Sequence, residues 1–131
     1  MRVQLPPPDQ RNIEIVSADQ LIDIIKQVED ESTLVIENGE IERLVVMTKR
    51  PYAMVKLREN RRGGPVIYAI NPQYRESLEL FQINDEDEVP LSVCIPFEWV
   101  PTIAANYFRT GKVPTSITWL GPDHIRGFGG H

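Results

Sequence analysis

Side chains with catalytic chemistry are few in this sequence of 131 residues. Cys94 is the only cysteine, and both histidines, His124 and His131, lie in a Gly- and Pro-rich C-terminal segment. A Ser-His or Cys-His pair would need its nucleophile brought onto that segment. The apolar neighbours of Cys94 indicate a small core residue rather than a reactive thiol, which needs a nearby base or cation. We therefore predict no catalytic residues and no enzymatic activity.

Patterns for metal or phosphate binding are equally scarce. A zinc site needs three or four rigidly held ligands, and one cysteine with two terminal histidines has no such spacing. The glycines of Arg62-Gly63-Gly64-Pro65 lack the spacing of a phosphate-binding loop and the Lys-Ser/Thr pair that follows it. Asp85 and Asp87 are candidates for acid–base work, but clustered acids in a polar loop are usually solvated. We predict no metal and no cofactor, and a small hydrolase is the least favoured function.

The charges are unevenly distributed, and this matters more than the net charge of −5. The segment from Glu76 to Glu88 contains six acids and no Lys or Arg. Such a surface repels nucleic acid and suits a basic partner, although a solvated loop is the simpler interpretation. The acids are Glu76, Glu79, Asp85, Glu86, Asp87 and Glu88.

A basic stretch runs from Lys49 to Arg62, where six cations stand against the single acid Glu59. Phosphate binding and a solvated strand face are both open interpretations of this stretch. Nucleic-acid-binding domains are usually basic overall, whereas this chain is acidic, so we predict no direct nucleic-acid partner. The cations are Lys49, Arg50, Lys56, Arg58, Arg61 and Arg62.

The elements that must position these charges begin with a strand and a helix. Residues 12–16 alternate as a short strand, and Ser17 then opens a helix with Gln20 three residues later, the pairing of a capping box. The first principal helix is predicted over residues 18–30. Its buried face consists of Leu21, Ile24, Ile25 and Val28.

A series of strands follows. Alternating segments at 33–37, 41–48, 52–57 and 66–70 predict an antiparallel meander whose first turn is Asn38-Gly39, since Asn-Gly favours tight hairpins. The hairpin loop is open to more than two residues. Residues 77–83 and 91–95 predict two further strands. The fold class is therefore α+β, with a single mainly antiparallel sheet and two principal helices.

The second principal helix is predicted over residues 98–110. Val100, Ile103, Ala104, Tyr107 and Phe108 have the spacing of one buried helical face. Pro101 is tolerated in the first turn, and Gly111 suits the left-handed residue that ends a helix. Ile117 and Trp119 then share one face of a short strand. We predict that Trp119 lies in the core, whereas core and partner-contact roles stay open for Trp99.

Length and hydropathy indicate one domain over residues 1–131, with flexible ends at about 1–10 and 121–131. The longest apolar runs fall short of the ~20 residues that cross a bilayer, and the N-terminal residues lack the apolar region of a signal peptide. We therefore expect a cytoplasmic protein without membrane contacts.

The C-terminal block also carries a family resemblance. The run Phe108-x-Thr110-Gly111-x-x-Pro114-x-x-Ile117-x-Trp119, reached through an amphipathic helix, resembles the C-terminal signature of the first immunity-protein family of bacterial polymorphic toxin systems. Ile13-Glu14-Ile15 followed by Ser17-x-x-Gln20-Leu21-Ile22 is similar to the opening strand and helix of those proteins. Members of the family include immunity proteins of DNA-deaminase toxins.

The resemblance implies a non-catalytic inhibitor that binds a cognate toxin domain and blocks its active site or substrate groove. Charge, and not the resemblance, places the expected interface on Glu76, Glu79, Asp85, Glu86, Asp87 and Glu88, with Trp99 as a further candidate. A stand-alone regulatory or adaptor domain, binding a protein or small ligand through the concave face of its sheet, is the alternative.

Overall fold

A computed structural model describes residues 1–61 and 63–128. The chain forms a large antiparallel sheet and two helices, which confirms the predicted α+β class. The elements are β1 (Arg2–Gln4), β2 (Asn12–Glu14), α1 (Ala18–Gln27), β3 (Ser32–Asn38), β4 (Glu42–Lys49), β5 (Tyr52–Glu59), β6 (Val66–Ala69), β7 (Leu80–Gln82), β8 (Glu88–Pro90), β9 (Ile95–Pro96), α2 (Val100–Thr110) and β10 (Trp119–Leu120). Short 3-10 helices lie at Pro72–Tyr74, Leu91–Val93, Phe97–Trp99 and Pro122–His124.

Within the described residues, eight strands form one sheet in the order β10-β6-β5-β4-β3-β1-β2, and β9 pairs with the other end of β5. The predicted meander is present as β3 to β6, with each strand antiparallel to the next. The β3–β4 register pairs Asn38 with Glu42, so the hairpin loop has three residues. Gly39 in this loop has φ +58°, a left-handed conformation that glycine adopts without steric cost.

The start of α1 follows the predicted capping chemistry. The backbone N–H of Gln20 donates to Ser17 Oγ at 3.1 Å, and Gln20 Oε1 accepts from the backbone N–H of Val16 at 2.8 Å. These two bonds satisfy donors that have no partner inside the helix. Leu21 and Ile25 are buried. The helix ends at Gln27, three residues before the predicted end, because Val28 turns to an extended conformation.

The boundaries of α2 also match their expected chemistry. Pro101 lies in the first turn, and Gly111 ends the helix with φ +72° while its N–H donates to Tyr107 O at 2.8 Å. The predicted apolar stripe is buried, apart from the half-buried Phe108. Residues 98 and 99, predicted as helical, belong to the preceding 3-10 helix.

The two faces of the sheet carry separate cores. Alternate side chains of a strand point to opposite faces, so Val55 on β5 joins the helical side while its neighbour Met54 joins the other. Both helices pack on the first face, together with β1 and β3. The second core includes Tyr68 of β6, Ile83, Cys94 and Ile125. Residues 80–94 therefore lie against the sheet face opposite the helices.

Several sequence predictions differ from the structure. The predicted strand 91–95 is mostly a 3-10 helix over Leu91–Val93, and only Ile95 from that segment enters the sheet. The predicted strand 77–83 shortens to β7, which pairs with β8, a strand that was not predicted. An apolar run of four or five residues has no period that separates a strand from a short helix.

Described residues near both ends of the chain pack against the rest of the protein. β1 lies between β2 and β3 in the sheet, and Val3 is fully buried. Near the C-terminus, Ile125 is 6% exposed, and the Phe128 ring lies 4.6 Å from that of Tyr68. His131, the second histidine of the expected C-terminal end, lies outside the described residues.

Candidate functional site: an acidic hairpin

The acidic segment folds into a hairpin that we call the acidic hairpin, residues 80–90. β7 and β8 pair in the register Leu80–Pro90, Phe81–Val89 and Gln82–Glu88. The backbone N–H of Leu91 donates to Glu79 O at 2.9 Å and extends this pairing beyond the strands. Four of the six predicted acids, residues 85–88, therefore lie at the turn and at the start of the second strand.

Asn84 organises the turn of the hairpin. Its side-chain Oδ1 accepts from the backbone N–H groups of Glu86 at 2.9 Å and Asp87 at 2.8 Å, the pattern of an Asx turn. Gln82 Nε2 donates to Asn84 O at 2.7 Å, and Ile83 N donates to Asp87 O at 3.0 Å. Backbone donors in the turn are satisfied locally, so the exposed carboxylates are not needed to hold its shape.

The inner face of the acidic hairpin is anchored in the second core. The Phe81 ring meets that of Tyr52 edge to face, with centroids 5.4 Å apart. Ile83 is fully buried, and Val89 is 8% exposed. This packing fixes the hairpin on the sheet and leaves its opposite face to solvent.

The outer surface combines charge with apolar area. All six predicted acids are exposed. Leu78 and Leu80, which lie between Glu76 and Asp85 in the sequence, are 68% and 53% exposed. The strand predicted over residues 77–83 did not include the exposure of these leucines; their alternation with Phe81 and Ile83 was the available signal. Charged and apolar side chains are therefore presented together on one exposed segment.

The carboxylates have little compensation from within the chain. Glu76 Oε2 lies 3.2 Å from Arg126 Nη1, but both side chains are largely exposed, so the pair is weak. Asp87 also lies close enough to influence Lys56. The pKa of Lys56 is lowered by burial and by Arg58 and Arg43, and Asp87 opposes that change. The segment is thus strongly negative and available to a basic partner.

Several cations of the basic stretch contact carboxylates or an aromatic ring near the protein surface. Lys49 Nζ lies 3.1 Å from Glu31 Oε1, and Arg61 Nε lies 2.7 Å from Glu59 Oε2. Lys56 is half-buried with Nζ 6.0 Å from the centre of the Tyr68 ring. Arg62 lies outside the described residues. Lys49 and Arg61 thus have carboxylate partners and Arg58 is exposed, so the phosphate-binding and solvated-surface interpretations of this stretch both stay predictions.

Arg50 has the most extensive contacts of this stretch. Its guanidinium donates to the carbonyls of Lys26 at 3.3 Å and Val28 at 2.8 Å, at the C-terminal end of α1. It also pairs with Asp30 at 2.9 Å and lies 4.2 Å from the centre of the Phe97 ring. A cation at a helix C-terminus satisfies free carbonyls and complements the helix dipole. Arg50 therefore ties α1, the β4–β5 turn and the approach to α2 together.

The two tryptophans have different surroundings. The indole N–H of Trp119 donates to Pro114 O at 3.0 Å, and the ring packs against the first core, as predicted. Trp99 is also half-buried against that core, but its ring lines a surface cleft as well. The cleft includes Pro72, four residues before Glu76 in the chain.

Cys94 lies in the second core. Cys94 is fully buried, and burial raises its pKa to about 12, far from that of a reactive thiol. Across residues 1–61 and 63–128, no three His, Cys, Asp or Glu side chains are grouped to hold a metal ion. In the same described residues, neither helix has the length and apolar character to cross a membrane.

The sequence of this chain matches a protein-family model. No curated protein matches the chain. The family model described as immunity protein Imm1 matches residues 9–120, which cover most of the chain, from before β2 to the end of β10. The protein therefore belongs to the Imm1 immunity protein family, and this membership supports an immunity function.

Proposed function

We propose that this protein neutralises a cognate toxin domain of the nucleic-acid deaminase type by covering its substrate groove with residues 76–90, which comprise the acidic hairpin and the four residues before it. The observation that carries the proposal is the coincidence of six exposed acids and two exposed leucines on one segment. Inhibition of this kind requires occupancy only, so the chain needs no catalytic group. It would act in the cytoplasm of the toxin-producing cell and its sisters.

The chemistry of a deaminase supports an acidic inhibitor. Such an enzyme must admit a strand that carries one negative charge per nucleotide and must extrude the target base into a pocket. Its groove is therefore expected to be basic. Exposed carboxylates match that groove in charge and accelerate encounter with it, while like charges reject other acidic surfaces.

The exposed leucines would supply binding affinity through apolar burial. Ion pairs that stay exposed contribute little net affinity because water and salt screen them, and those that become buried lose much of their attraction to desolvation. Leu78 and Leu80 leave water when a partner covers them, and apolar burial gives roughly 25 cal/mol per Å². The acids would then orient the two proteins, and the leucines would slow the dissociation of the complex.

Rigid presentation also supports the proposal. Phe81, Ile83 and Val89 hold the inner face of the hairpin in the second core, and Asn84 fixes its turn. A surface that is already in its binding conformation loses less entropy when it associates.

The proposal is tested by co-expressing the chain with the toxin domain encoded beside it. We expect growth to be rescued, a one-to-one complex to co-purify, and the complex to lose the deamination of a single-stranded oligonucleotide that the free toxin performs. Leu78→Ser with Leu80→Ser should weaken the complex about ten- to hundredfold, since the variant loses the apolar area that both leucines bury.

Val16→Ser with Ile41→Ser is the matched control, because these apolar residues lie outside the acidic hairpin and are 80% and 74% exposed. It should rescue growth as the wild type does. A folded wild-type protein that neither rescues growth nor binds the toxin would contradict the proposal. Thermal shifts with small metabolites in the absence of toxin would then favour the regulatory or adaptor alternative.

A further inference from the structure

A cleft of about 350 Å³ lies beside the start of α2. Its apolar lining includes Ile70, Trp99 and Ile117, and its polar lining includes Glu98, Thr102 and Thr118. The volume is at the lower end of the range for small-molecule sites. The cleft can therefore hold a large side chain.

The charge of this cleft is negative. Glu98 is the one ionisable residue among those lining it, and its carboxylate is exposed. Glu98 forms no ion pair with any residue that the structure describes. Its neighbour Trp99 brings an indole ring to the same cleft, and indole is the aromatic group that attracts cations most strongly.

We propose that the cleft receives an arginine side chain from the toxin partner. The aliphatic stem would lie on Ile70 and Ile117, and the guanidinium would contact the carboxylate of Glu98 and the ring of Trp99. Arginine fits this combination because its planar cation stacks on aromatic rings and is more weakly hydrated than an ammonium group. The inference rests on the proposed function, whose basic toxin groove supplies such side chains.

The position of the cleft allows one partner to cover it together with the acidic surface. Pro72 lines the cleft and lies four positions before Glu76 in the chain, so their Cα atoms are at most about 14 Å apart. A standard interface of about 800 Å² per partner corresponds to a patch about 32 Å across. The cleft would give a buried anchor, and the acids would give charge matching around it.

The test measures toxin affinity for Glu98→Gln, Trp99→Phe and Trp99→Leu. We expect about a fivefold to thirtyfold loss for Glu98→Gln and a graded loss from Phe to Leu at position 99. Asp23→Asn is the matched control, an exposed carboxylate on α1 that should bind as the wild type does. Because Trp99 also packs on the core, Glu98→Gln decides the outcome if the position 99 variants unfold.

An arginine-to-alanine scan of the toxin domain identifies the occupant. Replacing one of these arginines with alanine should weaken the complex with the wild-type protein. The same replacement should cause no further loss of affinity in the complex with Glu98→Gln. Wild-type affinity of both Glu98→Gln and Trp99→Phe would overturn the inference, while the proposed function would survive if the leucine variants still weaken the complex. A toxin-free dimer dissolved by Trp99→Leu would assign the cleft to a second copy of the chain and also overturn it. Absence of any wild-type complex would refute both proposals.

Discussion

Neutralising the turn of the acidic hairpin should slow toxin binding without affecting the fold. The variant carries Asp85→Asn, Glu86→Gln, Asp87→Asn and Glu88→Gln. The backbone bonds from residues 86 and 87 to Asn84 are retained, because they use main-chain N–H groups. All four side chains are exposed, so the free energy of unfolding should change by less than about 0.5 kcal/mol.

The expected kinetic effect follows from the charge that is lost. The formal net charge of the chain changes from −5 to −1, since four negative charges are removed. Electrostatic steering raises association rates by roughly 10- to 1,000-fold, and the turn holds four of the six acids. We expect the association rate at low salt to fall about ten- to hundredfold. The dissociation rate should change less, because the leucine contacts remain.

Stopped-flow association with the toxin domain measures this effect at about 0.05 M and 0.5 M salt. The difference between variant and wild type should shrink at the higher salt, where charges are screened over shorter distances. The matched control removes four exposed carboxylates outside the hairpin, through Asp19→Asn, Asp23→Asn, Glu29→Gln and Glu40→Gln. Equal slowing by this control would refute the assignment to the hairpin, as would an unchanged rate in the hairpin variant.

Three further predictions concern the scaffold. Tyr107 is fully buried, and its hydroxyl donates to Glu42 Oε1 at 3.0 Å. Tyr107→Phe should therefore lower the free energy of unfolding, measured by chemical denaturation, by about 1–2 kcal/mol. An unchanged free energy of unfolding would contradict this role of the hydroxyl. Arg50→Met should destabilise the fold near neutral pH. The hydrogen bond from the backbone of Arg50 and the contacts of its guanidinium hold the pKa of Asp30 below 3.8, so the stability from this pair is present above about pH 4 and is lost as pH falls through the lowered pKa. The difference in free energy of unfolding between the variant and the wild type, measured at neutral and acid pH, should therefore narrow below pH 4. A difference that stays constant with pH would contradict the role of the pair. Cys94 should resist thiol reagents at pH 8 in the native protein and react after unfolding, because its pKa is about 12; rapid native labelling would contradict its burial.

Local patterns predicted the parts of the fold whose causes are local. The apolar stripe of α2, its end at Gly111 and the Ser17 cap of α1 depend on residues within a few positions of each other. The meander was predictable for the same reason, since its strands alternate and follow one another along the chain. Boundaries near 3-10 helices were less certain because these helices lack the period of an α-helix.

The missed features depend on distant residues. β1 is a strand because Arg2 and Val3 meet Glu37 and Ile36 of β3, a pairing that the preceding and following sequence does not signal. The sequence of the basic stretch did not predict that Arg50 contacts the end of α1, because α1 is distant from it in the chain. Likewise, residues 76–88 were recognisable as acidic, but their arrangement with exposed leucines depends on how Phe81 packs against Tyr52.

The most direct test of the account is a competition experiment on a catalytically inactive toxin domain. A fluorescent single-stranded oligonucleotide is bound to the domain, and this protein is titrated against it. If the acidic hairpin covers the substrate groove, we expect complete displacement at one equivalent, with hydrogen–deuterium exchange protection centred on residues 76–90. Formation of a ternary complex that retains the oligonucleotide, or protection confined to another surface, would contradict the claim that the acidic hairpin covers the substrate groove.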